Sequence, residues 1–220
     1  MNGIKQKYPK IKQWIQKLFK IFKRQPKRDS IQETKPNQIP VQDYSNYCFY
    51  SDLIEPVTLI TPKQFITFQH FPHSQYKLNE FIDIYPISGL HISFKVQVSH
   101  IDIKYDFILL TSEFPVLPSW SAPILKSPSL GSLYYQLGIS FNGDGQLTKS
   151  LNGMLKRDQN SWIGISKDKR SYCNEAGGGC FEPESNVLYG IKVKQLSNNR
   201  SRIISIGYIL HECSIQIDLL

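Results

Sequence analysis

The chain has 220 residues, 40% of them hydrophobic and 12% aromatic, with four Cys and a formal net charge of +8. This suits one all-β core with an appendage, and no run of about 18 apolar residues is present to form a transmembrane helix. The charge is uneven: residues 1–28 hold ten Lys and Arg and no acid, whereas residues 29–220 hold 16 basic and 18 acidic residues. A body that is nearly neutral is not built to grip nucleic acid, which could engage only the basic tail.

Four scattered Cys do not make a disulfide scaffold in a chain of this length, and no secretory signal is evident at the start. The expectation is an intracellular protein, peripheral to a membrane if its first segment binds lipid.

That segment, residues 1–24, reads as a basic amphipathic helix. Ile11, Trp14, Ile15, Leu18, Phe19 and Phe22 form one apolar stripe at helical spacing, with Lys12, Lys17, Lys20, Lys23 and Arg24 around it. Such a stripe suits an anionic membrane surface, and it suits docking on a partner protein equally well. A targeting segment is a third reading, although such segments favour Arg and Ser. Residues 25–46 are polar, with Pro26, Pro36 and Pro40, and read as a linker. Residues 47–220 carry the β domain.

Short strands are expected around residues 47–50, 57–60, 65–68 and 81–85. Residues 89–98 then alternate strictly, with Leu90, Ile92, Phe94, Val96 and Val98 apolar and His91, Ser93, Lys95 and Gln97 polar. One buried and one wet face follow from that period of two. The phase changes before Ile101, which predicts a turn or bulge at Ser99-His100. Residues 111–132 are irregular and Pro-rich. Alternation resumes from Leu133 to Phe141, and Asn142-Gly143-Asp144-Gly145 reads as a hairpin turn. A further turn is expected at Asn152-Gly153 and a strand around 162–165. Residues 167–186 form a second irregular segment, with Gly177-Gly178-Gly179 between Cys173 and Cys180. Val187, Tyr189, Ile191 and Val193, then Ile204, Ile206, Tyr208 and Leu210, read as a closing hairpin. About ten strands and no long internal helix in the body predict a sandwich or barrel.

The strand Gly-Leu-His-Ile-Ser-Phe-Lys-Val, the strand Asp-Phe-Ile-Leu-Leu and the hairpin Leu-Gly-Ile-Ser-Phe-Asn-Gly-Asp-Gly-Gln-Leu, followed by a closing hairpin, resemble the concanavalin A-like lectin and glucanase superfamily over residues 81–220. The resemblance implies an antiparallel jelly-roll β-sandwich that binds glycans or protein partners. It implies no catalysis, because the superfamily's Glu-x-Asp-x-x-Glu strand is missing.

Phe114, Trp120, Tyr172 and Phe181, with the polar groups of Asn174 and Glu175, lie in the two irregular segments. Aromatic faces beside such groups suit sugar stacking, and the same residues also serve as loop anchors. Glu113, Glu175, Glu182 and Glu184 are the carboxylates to consider for glycoside hydrolysis, which needs a pair about 5–9 Å apart. None of the five His sits in a local nucleophile–base signature. Asn142-Gly143-Asp144-Gly145 lacks the ligands of a calcium loop. Cys173, Cys180, Cys213 and His211 lack the spacing of a zinc knuckle. No catalytic residue, metal or cofactor is expected. The sequence thus predicts a non-catalytic, glycan-binding sandwich module tethered by its N-terminal helix. The alternatives are a viral coat-type jelly roll with a nucleic-acid-neutralising arm and, third, a glycan-active hydrolase.

Overall fold

The computed structural model describes residues 44–87, 92–116, 122–140, 146–158, 161–166, 176–197 and 199–214. The expected N-terminal helix, with Ile11, Trp14, Ile15, Leu18, Phe19 and Phe22, lies outside them. No helix among the described residues is long and apolar enough to cross a membrane.

The described residues are all-β, with 56% in strands, but the strands form two closed barrels and no jelly-roll sandwich. Tyr44 is already buried, and a single 3-10 turn (Ser45–Tyr47) leads into the first barrel. Its strands are β1 (Cys48–Ser51), β2 (Pro56–Thr61), β3 (Gln64–Phe68), β4 (Phe81–Pro86), β5 (Phe94–Asp102) and β6 (Phe107–Ser112). They close in the order β1-β2-β3-β6-β5-β4, with β4 pairing back to β1.

The second barrel uses β8 (Leu133–Ser140), β9 (Gln146–Asp158), β10 (Ser161–Ser166), β11 (Gly179–Phe181), β12 (Val187–Ser197) and β13 (Arg200–Ser205). Pairing of β11 with β12 closes it, and the two-residue strand β7 (Ile124–Leu125) joins β12 in parallel. Closure leaves no free sheet edge, which a sandwich of the same alternating strands would retain.

The continuous apolar runs decide where the barrels meet. Val57 to Ile60 in β2 and Phe65 to Phe68 in β3 are buried on both strand faces, as expected of strands covered on two sides. One face fills the first barrel and the other meets the second. A single apolar cluster therefore runs from Phe49, Leu59 and Phe65 to Leu188, Ile191 and Val193.

Several local expectations meet a different physics. The ladder shifts register between Val98 and His100, the expected bulge. Val96 and Val98 are buried, but β5 begins only at Phe94, and Ile92 ahead of it is exposed. Asn152-Gly153 is no turn: β9 runs through it, and the register shift opposite Leu133 and Tyr134 makes it a bulge. Ile206, Tyr208 and Leu210 leave the strand for a helix, α1 (Ile206–Glu212). The Ser205 hydroxyl accepts the Tyr208 N–H as an N-cap, and Ile206 and Ile209 turn one face into the core.

Candidate active site at the seam between the barrels

Antiparallel pairing of β3 with β6 places Phe68 opposite Phe107. The next residues along each chain, Gln69 and His70 on one side and Asp106 on the other, therefore come together just beyond the ladder. Asp106 adopts φ +68°, a left-handed conformation that Asp tolerates better than most residues. The turn carrying it is closed by two N–H groups donating to Asp102: that of Asp106 to the carbonyl (2.9 Å) and that of Tyr105 to the side chain (2.8 Å).

His70 Nδ1 lies 2.8 Å from Asp106 Oδ2 and 3.0 Å from Oδ1. The backbone N–H groups of Gln69 and His70 also donate to Oδ1, at 3.1 and 2.9 Å. With its carboxylate on Nδ1, a neutral imidazole carries its proton there and leaves the Nε2 lone pair free to accept another. The His70 side chain is 46% exposed and that of Asp106 21%, so the base reaches solvent while the acid is sheltered.

A second histidine three residues on does different work. His73 is fully buried; its Nδ1 donates to the Phe68 carbonyl (3.0 Å) and its Nε2 meets the Ser51 hydroxyl (3.0 Å). Burial pushes it down to about 4, so it stays neutral and braces the end of β3.

The second barrel reaches this place through the turn before β11. Thr58 Oγ1 donates to the Gly177 carbonyl (2.8 Å), and the Gly177 N–H donates to the Lys192 carbonyl (2.8 Å). Gly177 has φ +84°, and a Cβ there would stand 2.1 Å from the Pro56 carbonyl oxygen and 2.8 Å from Thr67 Oγ1. Only glycine lets the backbone come so close. Thr67 is three residues before His70, so the turn is pinned against the strand that leads to the base. Ala176, half-buried, precedes it and packs on the shared core.

The residues singled out from sequence are scattered. Phe181 is fully buried beside Tyr44 and Tyr47, with ring centroids 5.0 and 5.5 Å away, so no ring face is left for a sugar. Phe114 is exposed, on the loop after β6. Trp120, Tyr172, Asn174 and Glu175, like Cys173, lie outside the described residues. Glu182 accepts from the Tyr189 and Ser185 hydroxyls in a turn of the second barrel. Cys48, Cys180 and Cys213 form no disulfide with one another, and among the described residues no group of three metal-ligating side chains occurs. His70 and Asp106, 36 positions apart, are the candidate pair that sequence reasoning missed. The only local hint was a His just past one strand and an Asp just before another.

The chain is similar in structure to several proteases. A serine-to-alanine mutant of Rv3671c from M. tuberculosis H37Rv, in its inactive form, superposes with a TM-score of 0.57 at 14% identity, over 84% of this chain and 96% of that one. The MamO protease domain from Magnetospirillum magneticum gives 0.56 at 12% identity, over 79% and 98%. A human pathogenic astrovirus serine protease gives 0.54 at 10% identity, over 74% and 91%. No protein-family model matches the chain, and no curated protein matches it in sequence. The fold is thus the double barrel of chymotrypsin-like serine proteases. This overturns the concanavalin A-like resemblance, because strand alternation is common to both architectures while barrel closure is not. The expectations of a non-catalytic, lectin-like module and of a chain more likely without enzymatic activity are overturned with it, since the structural neighbours are proteases.

Proposed function

We propose that this chain is a peptide-directed hydrolase of the chymotrypsin fold, with His70 as general base and Asp106 as the group that orients it. The observation that carries the reading is the Asp106 carboxylate, held by the Gln69 and His70 N–H groups and lying 2.8 Å from His70 Nδ1. Such a carboxylate fixes the tautomer and stabilises the imidazolium formed when Nε2 takes a proton. The imidazolium can then return that proton to a leaving amine, which is what hydrolysis of a peptide bond requires. The neighbouring solved structures support the choice of a peptide over other acyl compounds.

The test is digestion of a pool of unstructured peptides by the full chain, read by mass spectrometry. Wild type should yield new termini and His70→Ala should lose them. The reading fails if wild type yields none, even where it binds peptide, or if His70→Ala yields the same products.

A further inference from the structure

The base is complete, but the second-barrel turn packed against the strand that leads to it begins with a methyl side chain, Ala176. A base of this kind usually activates a hydroxyl or thiol within hydrogen-bond reach. The turn that approaches His70 reads Ala176-Gly177-Gly178-Gly179, followed by Cys180, which is fully buried. Gly177 is locked against Pro56 and Thr67, and Thr67 stands about 10 Å from His70 along an extended chain at roughly 3.3 Å per residue. Ala176, next to that locked glycine, is half-buried against the shared core. The Thr58 and Thr67 hydroxyls beside the turn are buried and donate to the Gly177 and Pro56 carbonyls. Neither is available to attack a substrate.

We infer that Ala176 occupies the seat that a nucleophilic side chain would take, so that this site forms no acyl-enzyme. The inference deepens the proteolytic reading and rests on it. Under that reading the attacking oxygen is water's. His70 Nε2 takes one water proton as the oxygen bonds to the carbonyl carbon, and the imidazolium then protonates the departing amine as the C–N bond breaks. One water is consumed, and a carboxylic acid and an amine are released, with the imidazole returned neutral.

The test installs the missing group. The full chain is treated with an alkyl fluorophosphonate and weighed intact. Wild type should take no label. Ala176→Ser should take one, mapped to position 176, and Ala176→Ser combined with His70→Ala should take none. Ala176→Ser should also raise peptide cleavage by on the order of 100-fold or more, since a nucleophile and its base act as a unit. A labelled or acylated wild type, at Ser171, Cys173 or elsewhere, overturns the inference, as does an Ala176→Ser variant that is folded by circular dichroism yet unlabelled. A wild type that cleaves no peptide beside an Ala176→Ser variant whose labelling depends on His70 upholds the seat and sinks only the proteolytic reading.

Discussion

The two barrels bring unequal things to the seam they share. The first supplies a base and its orienting acid from the ends of two paired strands, so their juxtaposition follows from the β3–β6 register alone. The second supplies backbone: a turn of glycines close enough to pack on Pro56 and Thr67, and the methyl of Ala176. Chemistry held within one ladder survives small changes in docking. Chemistry that must cross the seam depends on how closely the other barrel fits. The acid–base pair is therefore the robust half of this site and the approach of residue 176 the delicate half.

The sharpest way to break the contrast is Gly177→Val. A β-branched side chain pays about 1–2 kcal/mol for a left-handed φ, and overpacking against Pro56 and Thr67 adds about 1–3 kcal/mol. A loss of about 3 kcal/mol in urea unfolding is expected, with the His70–Asp106 pair still formed in the first barrel. If Gly177→Val unfolds like wild type, the close approach of the turn is wrong.

The next effect concerns the scaffold behind the pair. Burial pushes His73 down to about 4 and pushes Glu55, in the β1–β2 connection, up to about 7. An unfolded His takes its proton near pH 6.5, so the stability His73 gives is whole above that pH and is lost as pH falls towards 4. Glu55 runs the other way. Its folded form keeps a proton that the unfolded chain releases near pH 4.5, so its contribution is whole below 4.5 and is lost as pH rises through 7. At 1.36 kcal/mol per unit each is worth at most about 3 kcal/mol, and in wild type the two slopes oppose. His73→Gln should become more stable on acidification from pH 7 to 5, and Glu55→Gln less stable. Urea midpoints at the two pH values decide it; parallel shifts in both variants would remove the buried-charge explanation.

Much of the strand content was legible because a period of two survives any sheet architecture. Val96, Val98 and the bulge at Ser99-His100 read directly, and so did the antiparallel pairing of β8 with β9, whereas the turn expected at Asn142–Gly145 lies outside the described residues. Barrel closure was not legible, since Leu137 or Ile139 alternates in the same way whether the sheet opens or curls. The double-sided burial of Val57 to Ile60 was written in their unbroken apolar run, but only the fold shows that the second layer is another barrel. Ile204, Ile206, Tyr208 and Leu210 fit a strand, whereas Ser205 with Ile206 and Ile209 fits a capped helix, and packing chose the helix. The pair itself was invisible because 36 residues separate its members and only the register of β3 on β6 joins them. Phe181 misled for the opposite reason: an aromatic in an irregular segment became core once β11 formed within that segment.

The smallest effect on stability, and the finest probe of the robust half, is Asp106→Asn. The amide keeps an oxygen at the Oδ1 position, so the Gln69 and His70 N–H groups retain their acceptor. The fold should then lose no more than about 1 kcal/mol, the ordinary worth of a hydrogen bond. At the Oδ2 position the acceptor becomes an NH₂ donor, which cannot receive the His70 Nδ1 proton and offers one instead. Neutral His70 should therefore move its proton to Nε2, the nitrogen that must accept. Nitrogen-15 shifts of the His70 ring should report an Nδ1–H tautomer in wild type and an Nε2–H tautomer in Asp106→Asn, alongside near-identical urea curves. Peptide cleavage should fall as well, because the nitrogen that must accept a proton already carries one. An unchanged tautomer would mean that Asp106 holds the loop and does not orient the base.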